Sequence, residues 1–175
     1  MRIISGSHKG RKIVAPKKLP VRPTTDRSKE GLFNILSHRL EISELKILDL
    51  FSGTGNISYE FASRGAKKII SVDQNRSCSQ FIQQTAIKLE LNLQVIQSEA
   101  ISFLEKNNAD YNLIFADPPY DWEEKDYQRI ATLALQKLNP KGILILEHSN
   151  HLDLSSLESF DFSRAYGGSV FSFFE

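Results

Sequence analysis

The chain is short of cysteine and of uninterrupted apolar sequence, and each shortage removes a class of protein. Its one cysteine, Cys78, has no partner for an internal disulfide, which fits a cytosolic protein rather than a disulfide-stapled secreted one. No apolar run approaches the roughly 18–20 residues that span a bilayer, so no membrane association is expected. The opening Met1-Arg2-Ile3-Ile4-Ser5-Gly6 lacks the long apolar stretch of a signal peptide. Internal repeats and low-complexity tracts are missing too. What is present is a 175-residue chain, 41% hydrophobic and 25% charged, enough for one domain with a proper core.

The net charge of +1 conceals an asymmetry. Residues 1–29 carry nine basic side chains against Asp26 alone, leaving +8 there and −7 for the rest of the chain. A basic arm on an acidic body suggests a polyanion reached through the arm. Arg11, Lys12, Arg22 and Arg27 are the candidates to meet phosphates. The plainer alternative is a solvated N-terminus.

Residues 2–5 and 11–14 flank a Ser-His-Lys-Gly turn and suggest a small hairpin. Pro16, Pro20 and Pro23 then forbid regular structure over 15–24, and a helix is expected from Thr25-Asp26 to about His38. From Lys46 the pattern alternates. Strands are expected at 47–51, 68–73, 93–96, 111–116 and 142–146, and helices at 56–64, 76–91, 100–106 and 124–138. Such alternation predicts an α/β fold, a doubly wound, mostly parallel sheet with helices on both faces. The tail departs from it: Phe160–Tyr166 and Ser169–Phe174, joined by Gly167-Gly168, read as an antiparallel C-terminal hairpin. Two units follow, a basic arm over 1–24 and the α/β domain over 25–175.

Two short segments carry the chemistry. Asp49-Leu50-Phe51-Ser52-Gly53-Thr54-Gly55-Asn56 follows the first strand, and Asp117-Pro118-Pro119-Tyr120 follows the fourth, about 65 residues on. Glycines there allow a tight turn and close approach of backbone to ligand. No Lys-Ser/Thr follows Gly55, so the loop is not a Walker phosphate loop. Ligands of open α/β sheets bind beyond the carboxyl ends of strands, where Asp49, Gly53, Gly55, Asp73, Glu99 and Asp117 all fall. Asp73, 18 residues beyond Gly55, can accept two hydrogen bonds from ribose hydroxyls, or else cap the next helix. Glu99 can border an adenine, or stand as a helix N-terminal acid.

In Asp-Pro-Pro-Tyr, the Asp117 carboxylate and the Pro118 carbonyl are acceptors that can take the two hydrogens of an amine conjugated to a base ring. That favours a tetrahedral nitrogen with its lone pair free. The prolines stiffen the loop, as pre-organised acceptors require, and Tyr120 can stack on the base. An ordinary proline-rich turn is the alternative. His148 and His151, three apart, have too few partners for a metal site, and none is expected.

With these residues in view, the chain resembles the bacterial small-subunit ribosomal RNA guanine-N2 methyltransferases, the enzyme family for guanine 966 of 16S rRNA. The likeness runs through Arg2–Gly6, Gly10-Arg11-Lys12, Arg22-Pro23-Thr24-Thr25-Asp26-Arg27, Phe33–Leu36, Leu48–Gly55, Ser63–Ala66 and Asp117–Tyr120. It implies a seven-stranded Rossmann-like methyltransferase sheet, an RNA-contacting N-terminal hairpin, and S-adenosylmethionine as methyl donor. It further implies cofactor contacts from Asp49, Phe51, Gly53, Gly55 and Asp73, and catalysis by Asp117 through Tyr120. Where the family often has an Asp near the adenine, this chain has Glu99. The expected substrate is 16S rRNA in the small subunit or an assembly intermediate, acted on by a monomer. An adenine-N6 methyltransferase and a non-catalytic RNA-binding module of the same fold are the competing readings.

Overall fold

Runs such as Ile47-Leu48-Asp49-Leu50 and Leu113-Ile114-Phe115-Ala116 are apolar on both faces, which only a strand covered on two sides can bury. The computed structural model describes residues 1–17, 19 and 24–175, and in it these runs form the centre of one seven-stranded sheet. In chain order the elements are α1 (Asp26–Arg39), β1 (Lys46–Leu50), α2 (Asn56–Ser63), β2 (Lys68–Asp73), α3 (Arg76–Lys88), β3 (Leu93–Gln97) and α4 (Ala100–Lys106). They continue with β4 (Tyr111–Ala116), α5 (Glu124–Leu135), β5 (Leu138–Ser149), β6 (Phe160–Tyr166) and β7 (Ser169–Phe174). The strand order is β3-β2-β1-β4-β5-β7-β6. The first five strands run parallel, and β7 runs antiparallel to both its neighbours, as the sequence predicts.

Alternate residues of each central strand serve opposite cores. Leu48, Leu50, Ile114 and Ala116 meet α4 and α5 through Leu104, Tyr127 and Ile130. Ile47, Leu113 and Phe115 meet α1 and α2 through Leu32, Phe33, Ile57 and Phe61. Each such fully buried side chain contributes roughly 1.5–3 kcal/mol.

Several boundaries differ from expectation; β1 is Lys46–Leu50 rather than 47–51, and β5 runs on to Ser149 rather than 146. The strand β5 starts at Leu138 rather than 142, because the chain passes Asn139-Pro140-Lys141 as an irregularity instead of turning there. Tyr111 pairs with Leu138, the register shifts before Leu113, and Lys141 takes φ 65°. That early start also ends α5 at Leu135 instead of 138. Helix α3 stops at Lys88, not 91, since Glu90 adopts a left-handed φ of 54° that closes the helix.

The N-terminal hairpin is rudimentary, with one bridge pair, Arg2 and Lys12. It is nonetheless anchored. Ile3 and Ile13 are buried against Tyr59 of α2 and Ile82 of α3. The backbone N–H groups of Ile4 and Ser5 donate to the Glu60 carboxylate at 2.8 and 3.0 Å. Glu60 also pairs with Lys29 at 3.2 Å, both side chains fully buried. Lys29 is therefore no part of a basic surface, contrary to its place in the charge count. Its ammonium holds the hairpin instead, through the carbonyl of Arg2 at 2.6 Å.

Candidate active site

The sheet reverses its winding between β1 and β4, and ligands of open α/β folds bind above such a switch point. Leu50 pairs with Ala116, so the loops after β1 and β4 leave the sheet side by side. A cavity of about 450 Å³ opens above them.

The first wall is the glycine loop. Phe51 has φ 59°, left-handed and costly for a residue with a bulky side chain. Its ring lies edge-on to Trp122, centroids 5.2 Å apart. Gly55, at φ 79°, starts α2, and a Cβ there would come within 2.7 Å of the Tyr59 ring. Only glycine fits that turn. The Gly53 N–H donates to Asp73 Oδ2 at 2.7 Å, while the Asn75 N–H donates to Oδ1 at 2.8 Å. Asp73 thus ties the loop to the end of β2 and lines the cavity. It does not cap α3, because Asn75 does, accepting from the Ser77 and Cys78 N–H groups.

Glu99 turns out to be the helix acid. Its carboxylate accepts from the N–H groups of Ile101 and Ser102 and caps α4. These bonds hold its pKa down against partial burial. The residues that face the cavity beside it are Ser98 and Ala100.

At the floor lies Asp49, buried, accepting from the Ser58 hydroxyl at 2.5 Å. Burial, more than any charge, pushes its pKa up to about 7. Across the cavity Asp117 is raised well above the usual carboxylate range, first by burial, then by Glu147 and Asp49. Pro118 is buried, Pro119 exposed, and Tyr120 is 53% exposed with its ring free to receive a partner. All four residues of the Asp117–Tyr120 loop line the same cavity as Asp49, Phe51, Gly53 and Asp73.

The basic candidates lie elsewhere. Arg11 and Lys12 are exposed on the hairpin and Arg27 on α1. Arg22 lies outside the described residues.

A family model, described as conserved hypothetical protein 95, matches residues 1–175. The chain belongs to that family. A putative rRNA methyltransferase of Bacillus subtilis, YlbH, is 35% identical over 161 residues, covering 88% of this chain and 85% of that one. The ribosomal RNA small subunit methyltransferase D of Escherichia coli is 37% identical over 121 residues, 69% of this chain and 60% of the other. Among solved structures, a putative methyltransferase of Escherichia coli, yhhF, superposes with a TM-score of 0.86 at 27% identity, covering 99% of this chain and 96% of that one. The family resemblance drawn from the motifs therefore holds, and the fold is that of the Rossmann-like methyltransferases.

Several cavity residues lie outside the glycine loop and the Asp117–Tyr120 loop. Thr24, Asn75 and Ser98 line the space from three separate elements. The Thr24 carbonyl is held by the Asn56 amide at 2.8 Å, and Asn56 by Lys29 at 2.8 Å. Glu147, buried at 2% exposure beside Asp117, was also missed; its one signal was a lone acid ending an apolar strand.

Proposed function

We propose that this protein transfers a methyl group from S-adenosylmethionine to the exocyclic N2 of a guanine in 16S ribosomal RNA, at the position of guanine 966. The observation that carries the reading is the single cavity shared by the glycine loop and the Asp117–Tyr120 loop. Cofactor and acceptor amine need to meet in one desolvated space, because most of the catalysis is placement in line. The relatives' names, which specify ribosomal RNA and its small subunit, support the substrate class.

The residues present fit the cofactor. The positive-φ glycines leave room for its methionine end. The Asp73 oxygens keep lone pairs beyond the two backbone donors they already serve, which ribose hydroxyls can use. Phe51 and Ser98 flank the adenine side. When bound, the sulfonium supplies the activated methyl group. Asp117 and the Pro118 carbonyl accept the two amine hydrogens and aim the nitrogen lone pair at the methyl carbon. Formation of the N–C bond would break the sulfonium's S–CH3 bond and leave a neutral thioether, and the nitrogen would give up one proton, which Asp117, its pKa raised by burial, is placed to receive. Exposed Tyr120 stacks on the base, worth on the order of 1–3 kcal/mol, once the base has left its own stack. The hairpin bearing Arg11 and Lys12, with Arg27, meets the RNA backbone.

The test is transfer of tritiated methyl to small ribosomal subunits from a strain lacking the enzyme, with mapping of the modified base. Label on one guanine N2 supports the reading. Label on adenine, or none with bound cofactor, overturns it.

A further inference from the structure

Glu147 has no part in the motifs, yet it sits where three pieces of the site converge. Ala116 of β4 pairs with Leu146 of β5, so Asp117, just past β4, and Glu147, within β5, stand at one level on adjacent parallel strands. The Thr24 hydroxyl donates to Glu147 Oε2 at 3.2 Å, and Thr24 lines the cavity. On the other side the Ser169 hydroxyl is near enough to Glu147 to favour its ionised form, and it lies 3.3 Å from the hydroxyl of Tyr120. One buried carboxylate thus holds the segment before α1 and stands close to the start of β7, whose Ser169 reaches the ring expected to stack on the base.

We propose that Glu147 is a positioning residue of the acceptor site, which fixes Thr24 and Tyr120 around the target base and sets the protonation of Asp117 without touching the base itself. This rests on the function proposed above. A buried Glu147 and a partly buried Asp117 on neighbouring strands do not both ionise cheaply, so one proton is shared between them over part of the pH range. Burial raises both, and Glu147 adds to the rise at Asp117. Among the described residues, Asp49 from β1 adds to the rise at Asp117, and Tyr127 from α5 feels both carboxylates. The Tyr127 hydroxyl is buried and has no hydrogen-bond partner among the described residues, so it does not relieve the pair.

Two variants separate charge from support. Glu147→Gln keeps an acceptor for Thr24 and Ser169 but removes the charge; Glu147→Ala removes both. In Glu147→Gln, the acid limb of the methyl-transfer rate should move to lower pH by on the order of one unit, because Asp117 then ionises more readily. The Asp117 carboxyl resonance, followed by carbon NMR in the free protein and assigned with Asp117→Asn, should move the same way. Glu147→Ala should share that shift and also lower kcat roughly tenfold, with cofactor affinity unchanged. An Asp117 titration identical in wild type and Glu147→Gln overturns the proposal, as does an unmoved acid limb. Should the variants fail to fold, the wild-type protein still decides: a coupled pair titrates in two steps seen at both carboxyls, and independent single steps refute it. If wild type does not methylate rRNA, the assigned function fails while the NMR titration still judges the Asp117–Glu147 pair.

Discussion

At the scale of single residues, the proposed function divides the labour of the site between two acids. Asp117→Ala should leave cofactor affinity near wild type and cut methyl transfer by roughly a hundredfold or more, the usual cost of one pre-organised polar contact. Asp73→Ala should do the reverse, weakening cofactor binding by on the order of 1.5–3 kcal/mol. Calorimetry beside a turnover assay checks both, and near-normal turnover in Asp117→Ala removes its catalytic role. Asp49 makes a different expectation. An unfolded Asp ionises near pH 4, whereas folded Asp49 holds its proton up to about pH 7. Between those values the folded protein binds more protons than the unfolded one, so stability falls as pH rises, by at most about 4 kcal/mol from this group. Asp49→Asn should therefore flatten the decline in thermal midpoint between pH 5 and 8 and raise the midpoint at pH 8. A slope equal to wild type would mean that Asp49 ionises normally.

Among the elements, α2 is the one on which the others depend. Its N-terminus forms the glycine turn, and its Glu60 accepts from Ile4, Ser5, Lys29 and Arg64. Glu60→Ala strands a buried ammonium and should cost about 3–5 kcal/mol in urea unfolding. The double variant Lys29→Met/Glu60→Gln should recover part of that loss, and equal instability of the two proteins would count against a buried ion pair. The elements themselves were legible from sequence because local pattern fixes them: β2, α4, β4, β6 and β7 have the expected boundaries. The hairpin's docking was not legible, since Lys29 reads as one more cation until Glu60 is folded beside it. For the same reason the sequence left Glu99 open between bordering an adenine and capping a helix: both place an acid after a strand, and the cap on the Ile101 and Ser102 N–H groups is seen only in the fold. Glu147 stayed hidden because its partners, Thr24 and Ser169, are 123 and 22 residues away in the chain.

Across the whole molecule, charge is segregated, and the segregation survives the loss of Lys29 to the interior and the pairing of Arg2 with Asp26 at 3.1 Å. Lys9, Arg11, Lys12, Lys17 and Arg27 remain exposed on the N-terminal side. Removing the hairpin outright would uncover Tyr59 and Ile82, so charge reversal is the cleaner probe. Arg11→Glu/Lys12→Glu should weaken RNA binding, reduce the log–log salt slope by about 1.5, and leave cofactor affinity intact. Salt-independent binding of the wild type would make the arm a solvated terminus. The Glu60 junction has one more consequence, in time rather than space. Ile4 and Ser5 wait for a carboxylate made 56 and 55 residues later. The hairpin is thus made before the carboxylate that holds it, and it is among the later segments to mature. Until α2 emerges, each nascent chain trails an open, cationic, isoleucine-bearing tether.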